Sequence, residues 1–509
     1  MLAQLVAATT ATYDTPTLDW HALAPLIVLV STLVVALIVD SIVAKQQSGA
    51  LPSIVGLGLL GSLVPIITLA IHDDTARSMF GGAIVIDRFA LLMSAFFVVV
   101  GYLTVLLSTN YIAEGDYYEG EYYFLLLASV IGMVFMASAR DLISIFVALE
   151  LLSIPAYLLA AWRKRDRVGV EGGLKYYLMG VFASAVMLYG MSLIFGGTGE
   201  THLAAIRESM AGGFGAEPVA TIGIVLTLVG FGFKVSAVPF HNWAPDTYEG
   251  APTPITAFLS VASKAAGFVA ILQLMFVGFV GQANVLRPMM LILAIATMTV
   301  ANVIAIRQTN VVRMFAYSSV AQAGFLLAPL AVITAADGGV NDKIVSSVVL
   351  YLMAYALMNM GAFAVIIAVS RRTGTGEMDA WGGLFSYAPG LASTMAVFLF
   401  ALGGIPPMVG WFVKFQLFQA VINAETASAY VLAVVMAVNT VISMAYYLGL
   451  IRRMFVDDAP DGDTSPIKVP VPLVAAMGLT AVALVVFGFL PHILTDLADS
   501  ALLAFGTGS

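Results

Sequence analysis

The sequence predicts an all-α membrane protein of about fourteen transmembrane helices, built from two inverted five-helix repeats. Three observations point there. Hydrophobic residues make up 61% of the 509 and charged residues 10%, where a globular chain carries about 25% charged, and the mean hydropathy is +0.98. Apolar runs near the roughly 20-residue length of a bilayer crossing recur along the chain. Two of those runs are broken by proline, with lysines beside the breaks.

The runs lie near 22–43, 51–72, 87–109, 120–138, 141–161, 171–196, 218–245, 254–280, 286–306, 312–334, 345–369, 388–423, 427–450 and 469–493. The first twenty residues carry no basic residue ahead of an apolar core, so they read as a polar lead-in and not as a signal peptide. The seventh run breaks at Pro239 and the twelfth at Gly403-Gly404-Ile405-Pro406-Pro407, since proline lacks the N–H that continues a helix. Pro239 and Pro406 are 167 residues apart, and the same offset carries the fourth run onto the ninth. Helices 4–8 and 9–13 therefore form two units, each with a broken fourth helix. Five is odd, so the second unit is inverted, as in many transporters. The expected segments are 1–110 (helices 1–3), 111–281 (first repeat), 282–455 (second repeat) and 456–509 (helix 14 and tail).

Orientation follows from the loops. With both termini outside, the inward loops hold twelve basic residues (Lys45, Arg163, Lys164, Arg165, Arg167, Arg307, Arg313, Arg371, Arg372, Arg452, Arg453 and Lys468) and the outward loops six. The acidic link Asn110–Gly120 lies inside without contradicting the rule. The net charge of −8 argues against a nucleic-acid partner. The chain has no cysteine, which excludes disulfides and thiolate-held zinc or iron–sulfur clusters.

Ionisable residues inside the runs carry the functional signal, because each costs about 3 kcal/mol or more at mid-membrane depth. Glu150 sits midway through helix five. Lys175 lies early in helix six, Lys234 just before the break in helix seven, His241 just past that break, Lys264 in the middle of helix eight and Lys414 just after the break in helix twelve, and all five are candidate site residues with Glu150. Glu150, a lone buried acid, has Lys234 as its natural partner. The lysines form a row of stations, since a buried ammonium must find acceptors or give up its proton. Blander readings stand beside these: Lys175 as an interfacial anchor, Lys414 as a donor to carbonyls freed by the break, and His241 as a cap on the broken helix end. Asp40 reads as interfacial. Asp246, Tyr248 and Glu249 read as structural or near an intake mouth. Moving one proton against 150–200 mV takes about 3.5–4.6 kcal/mol, within reach of a buried lysine whose carboxylate partner approaches and leaves. No GxGxxG follows a strand and no P-loop is present, so energy arrives from a partner or an ion gradient.

ALELLSIPAYLLAAW at 148–162, KVSAVPFHNWAPDTYEGAPTPITAFLSVASKAAGF at 234–268 and IRQTNVVRMFAYSSVAQAG at 306–324 resemble the antiporter-like subunits of respiratory complex I (NADH–quinone oxidoreductase) and of multisubunit cation/proton antiporters. The first two stretches are most similar to the N-type branch. The resemblance covers about two-thirds of the chain; helices 1–3 match less distinctively. It implies a membrane-arm subunit that moves protons, driven by electron transfer in other subunits. Glu150 would pair with Lys234, Lys264 would be the central station, Lys414 would lead to the exit, and Lys175 would lie beside the path. It implies no cofactor in this chain, with FMN, iron–sulfur clusters and quinone in partner subunits. The partners would be the M, K and J subunits and, further along, L, in a bacterial inner membrane. Rival readings are a subunit of a sodium/proton antiporter, a self-contained solute transporter and a structural spacer.

Overall fold

The computed structural model describes residues 18–42, 50–72, 75–115, 119–335, 339–460, 462 and 465–501. The lead-in at 1–17, Lys45, part of the Asn110–Gly120 link and the last residues to Ser509 lie outside them. Twelve described helices are long and apolar enough to cross a membrane. They are α1 (Trp20–Ile42), α2 (Ala50–His72), α3 (Arg88–Glu114), α4 (Glu119–Ser138), α5 (Leu142–Ala160), α6 (Arg167–Thr198), α8 (Thr253–Gly278), α9 (Ala283–Ala305), α10 (Val311–Leu327), α11 (Gly339–Thr373), α13 (Ala427–Val456) and α14 (Val471–Phe489). The seventh and twelfth runs are each split, into α7a (Pro218–Lys234) and a short Trp243–Gly250 helix, and into α12a (Pro389–Gly403) and α12b (Val409–Ile422). All fourteen predicted runs are thus helical.

Several helices start where a short polar side chain receives orphan backbone N–H groups, a cap worth about 1 kcal/mol. Asp87 accepts from Ala90, Asp141 from Ile143 and Ser144, Asp166 from Val168, Asn310 from Val312 and Arg313, and Thr426 from Ala429. Asp19 accepts the Ala22 N–H at 3.0 Å and pairs with Arg77 at 2.8 Å. The backbone bond above all, then Arg77, holds its carboxyl below the ordinary carboxylate range. The link after α2 contains a short hairpin, Arg77–Met79 paired with Ile84–Ile86, and the link after α6 contains a helix, Leu203–Ala211. The hydropathy pattern gave no sign of either. A buried Arg140–Asp87 pair at 2.6 Å ties the start of α3 to the α4–α5 link.

The helices sort by burial. Every residue in the most apolar window of α8 is buried, against 22% in α1. α8, α10 and α11 form the centre, while α1, α2, α6 and α14 leave broad apolar faces outward. α6 packs along α7a, α9 along α10, and long α11 meets α12a, α12b and α14. The core therefore lies between the two broken helices, and the buried lysines lie in it.

Candidate proton-transfer site

α7a ends in a Schellman cap. The N–H of Ser236 bonds the Phe233 carbonyl at 3.0 Å and the N–H of Ala237 bonds the Gly232 carbonyl at 2.8 Å, with Ser236 in the left-handed region at φ 59°. α12a ends in the same cap: Gly404 N–H to Ala401 and Ile405 N–H to Phe400, both at 3.0 Å, with Gly404 at φ 82°. Ser236 and Gly404 lie 168 positions apart, as do Pro239 and Pro407. The proline equivalent to Pro239 is therefore Pro407, one residue beyond the Pro406 expected from the sequence.

Lys234 is the last residue of α7a. Its Nζ donates to Ser153 Oγ at 2.8 Å and, more weakly, to the Tyr176 hydroxyl at 3.5 Å. Beneath it Tyr176 stacks on Trp243 at 4.3 Å, and Trp243 Nε1 donates to the Phe233 carbonyl at 3.2 Å, which fixes the break. Glu150 does not touch Lys234. It accepts from Ser184 Oγ of α6 at 2.6 Å, and no ion pair joins the two residues. The expected pair is thus corrected to two neighbouring bonds on α5: Glu150 turns toward α6, while Ser153, one turn further on, takes the lysine.

Lys264 follows a wide π turn at Leu259–Ser263 in α8, a local unwinding often found at functional positions. Its Nζ donates to Ser319 Oγ of α10 at 2.6 Å and lies 5.8 Å from the Tyr248 ring. The Tyr248 hydroxyl and His241 Nδ1 are buried without a hydrogen-bond partner among the described residues. Asn242, not His241, stands at the start of the Trp243–Gly250 helix, and no side-chain cap bond is made there.

Lys414 Nζ donates to the Leu402 carbonyl at 2.8 Å and lies 5.1 Å from the Phe325 ring. That carbonyl is free because the cap uses those of Phe400 and Ala401, while the residue four positions on, Pro406, has no N–H. Lys414 thus does meet a carbonyl released by the break.

Lys234, Lys264 and Lys414 are 2%, 3% and 4% exposed. An ammonium offers three N–H donors, yet each lysine meets only one or two neutral oxygens and one aromatic face, and none touches a carboxylate. Such surroundings suit a group that alternately holds and releases a proton. Lys175 is different. It is half-exposed and bonded at 2.6 Å to both Glu171 and Asp246. Asp246 also takes Arg313 at 3.0 Å, and Arg313 takes Glu249 at 2.6 Å. This network joins α6, the Trp243–Gly250 helix and α10 at one end of the bundle.

The sequence reading did not find the acceptors Ser153, Tyr176, Ser184, Ser319 and the Leu402 carbonyl, nor Gln322, Tyr351 and Tyr447 nearby. The closely spaced polar residues Ser318, Ser319 and Gln322 in an apolar helix were the available signal.

A bundle with cationic side chains lodged at two inverted helix breaks is the architecture of an ion-translocating membrane subunit. The comparisons give the family. Residues 139–443 match the family described as NADH:quinone oxidoreductase/Mrp antiporter, transmembrane, and the chain belongs to it. It is 40% identical over 462 residues to NADH-quinone oxidoreductase subunit N 2 of Symbiobacterium thermophilum, covering 87% of this chain and 89% of the relative. It is 38% identical over 501 residues to NAD(P)H-quinone oxidoreductase subunit 2 of Gloeobacter violaceus, covering 96% and 94%. Among solved structures it is similar to a chain of respiratory complex I from Thermus thermophilus with bound aureothin, at 28% identity and a TM-score of 0.76, covering 93% of this chain and 99% of that one. A chain of the Mrp complex from a Dietzia species shares the fold, with a TM-score of 0.82 at 18% identity, covering 97% and 98%.

Proposed function

We propose that this chain is the N-type membrane-arm subunit of a proton-translocating NADH–quinone oxidoreductase. Electron transfer from NADH to quinone in other subunits drives protons along Lys234, Lys264 and Lys414. The observation that carries the reading is the row of three buried lysines, each on neutral acceptors beside a helix break or a wide turn. Glu150 acts on Lys234 through space, by moving toward or away from it. Lys175 and His241 lie beside the intake. The FMN, the iron–sulfur clusters and the quinone site belong to partner subunits, with M, K and J as neighbours and L further along the arm. Both termini face the outer side of a bacterial inner membrane, and the segments divide at 110, 281 and 455.

The test is made in native membranes, with assembly, NADH oxidation by quinone and proton transfer measured together. Lys264→Ala in an assembled complex should lower both activities, and normal pumping by that variant would sink the relay. For sidedness, an impermeant thiol reagent should reach Arg165→Cys only from the cytoplasmic face. Labelling from outside would reverse the orientation.

A further inference from the structure

We propose that Gln322 is a positioning residue that frees Lys414 to move its proton, because its side-chain amide stands as the alternative donor to the Leu402 carbonyl. This inference rests on the relay reading above.

The Leu402 carbonyl is an orphan of the break, and Lys414 Nζ fills it at 2.8 Å. In that state Lys414 is a fixture: if it swings away to pass a proton, a buried carbonyl is left without a donor, which is costly. Gln322 of α10 points its Nε2 at the same carbonyl from 3.4 Å. That is too long for a full bond now, yet close enough to tighten once the lysine leaves. A carbonyl oxygen has two lone pairs, so both donors can approach it and exchange without an orphaned interval.

The orientation of the amide follows from its other bonds, as it must where oxygen and nitrogen are assigned from a network. The Tyr351 hydroxyl donates to Gln322 Oε1, which turns Nε2 toward Leu402. Nε2 also meets the Tyr447 hydroxyl at 3.2 Å, and Tyr447 shares a 2.5 Å hydroxyl bond with Ser318. Gln322, Tyr351, Tyr447 and Ser318 are all buried, so solvent does not supply the missing donor. Ser318 adjoins Ser319, the acceptor of Lys264. One face of α10 therefore holds the partner of the central lysine and the understudy of the exit lysine.

The experiment compares Gln322→Leu, Gln322→His and Lys414→Ala in the assembled complex in native membranes, with assembly measured on native gels. Gln322→Leu keeps the bulk but removes the second donor. Proton transfer and NADH oxidation with quinone should fall on the order of tenfold, the population effect of orphaning one buried carbonyl. The solvent deuterium isotope effect on turnover should rise, because departure of the Lys414 proton becomes limiting. Gln322→His keeps one donor and one acceptor in neutral form and should restore most of the rate. If Gln322→Leu does not assemble, Tyr351→Phe releases the amide without removing it and should give a smaller slowing with the same rise in isotope effect. Full turnover in assembled Gln322→Leu while Lys414→Ala is slow would overturn this inference alone. A slow Gln322→Leu with an unchanged isotope effect and no rescue by histidine would mark Gln322 as structural and overturn it too. Normal pumping by Lys414→Ala would remove the relay reading itself.

Discussion

α7a and α12a stop with the same two backbone bonds, yet each break treats its lysine differently. At the first, the residue ahead of the cap is Lys234 itself, and its ammonium leaves the broken helix to find hydroxyls on α5 and α6. At the second, the equivalent position is Leu402, and Lys414 reaches back from beyond the break to use its carbonyl. A repeated backbone motif has thus been given two kinds of hydrogen-bond acceptor for its lysine, a rotatable side chain and a fixed main-chain oxygen. A rotor can follow its lysine, whereas a carbonyl holds its lysine in place. The left-handed residue differs as well: Ser236 carries a side chain there, and Gly404 does not.

The most severe way to break this comparison is Lys234→Arg. Arginine scarcely deprotonates, so the assembled variant should lose proton transfer on the order of a hundredfold at this step, and NADH oxidation with it. An assembled variant that pumps normally would show that deprotonation at 234 is not needed.

Gly404→Ala comes next. A Cβ at Gly404 would stand 3.0 Å from Lys414 Cδ, and the left-handed backbone adds about 1–2 kcal/mol of strain. Turnover should drop about tenfold, with proton transfer per NADH falling in parallel. Unchanged kinetics would mean that Lys414 does not depend on the fit of the second break.

Ser153→Ala removes the short acceptor of Lys234 and leaves Tyr176 at 3.5 Å. The loss of one hydrogen bond, about 1 kcal/mol, should slow turnover several-fold. If the rotor view is right, Ser153→Thr, which keeps the hydroxyl, should stay near the parent rate.

Ser236→Gly is the mildest. It makes the first break like the second and relieves a left-handed serine, so thermal stability of the complex should rise slightly, by up to about 1 kcal/mol, with turnover within about twofold. A large loss of turnover would give the buried Ser236 hydroxyl a part in the relay.

Hydropathy and proline were enough to place fourteen helices and both breaks in the sequence, because each leaves a signal many residues long. Buried lysines stand out for the same reason: few charges interrupt those runs. The acceptors were hidden for a physical reason. Ser153 and Ser319 look like any serine in an apolar helix, and the Leu402 carbonyl is backbone, whose availability depends on which N–H groups the cap consumes. The Glu150–Lys234 contact failed because it depends on the rotation of α5, which places Glu150 toward Ser184 and Ser153 toward Lys234. The repeat was read one residue out of register because Pro406 and Pro407 are adjacent and only the cap decides between them.

The ion network at the end of the bundle has a mechanical consequence. Lys175 is anchored in α6, Asp246 in the short helix after the first break, and Arg313 at the foot of α10. Two short bonds make these three bodies a tied frame. Ser319 stands six residues up α10 from Arg313, about 9 Å along a stiff rod at 1.5 Å per residue. The oxygen that grips Lys264 thus sits at the middle of a helix whose first turn is tied, through Asp246, to α6, so the central lysine and the half-exposed ion network share one rigid element.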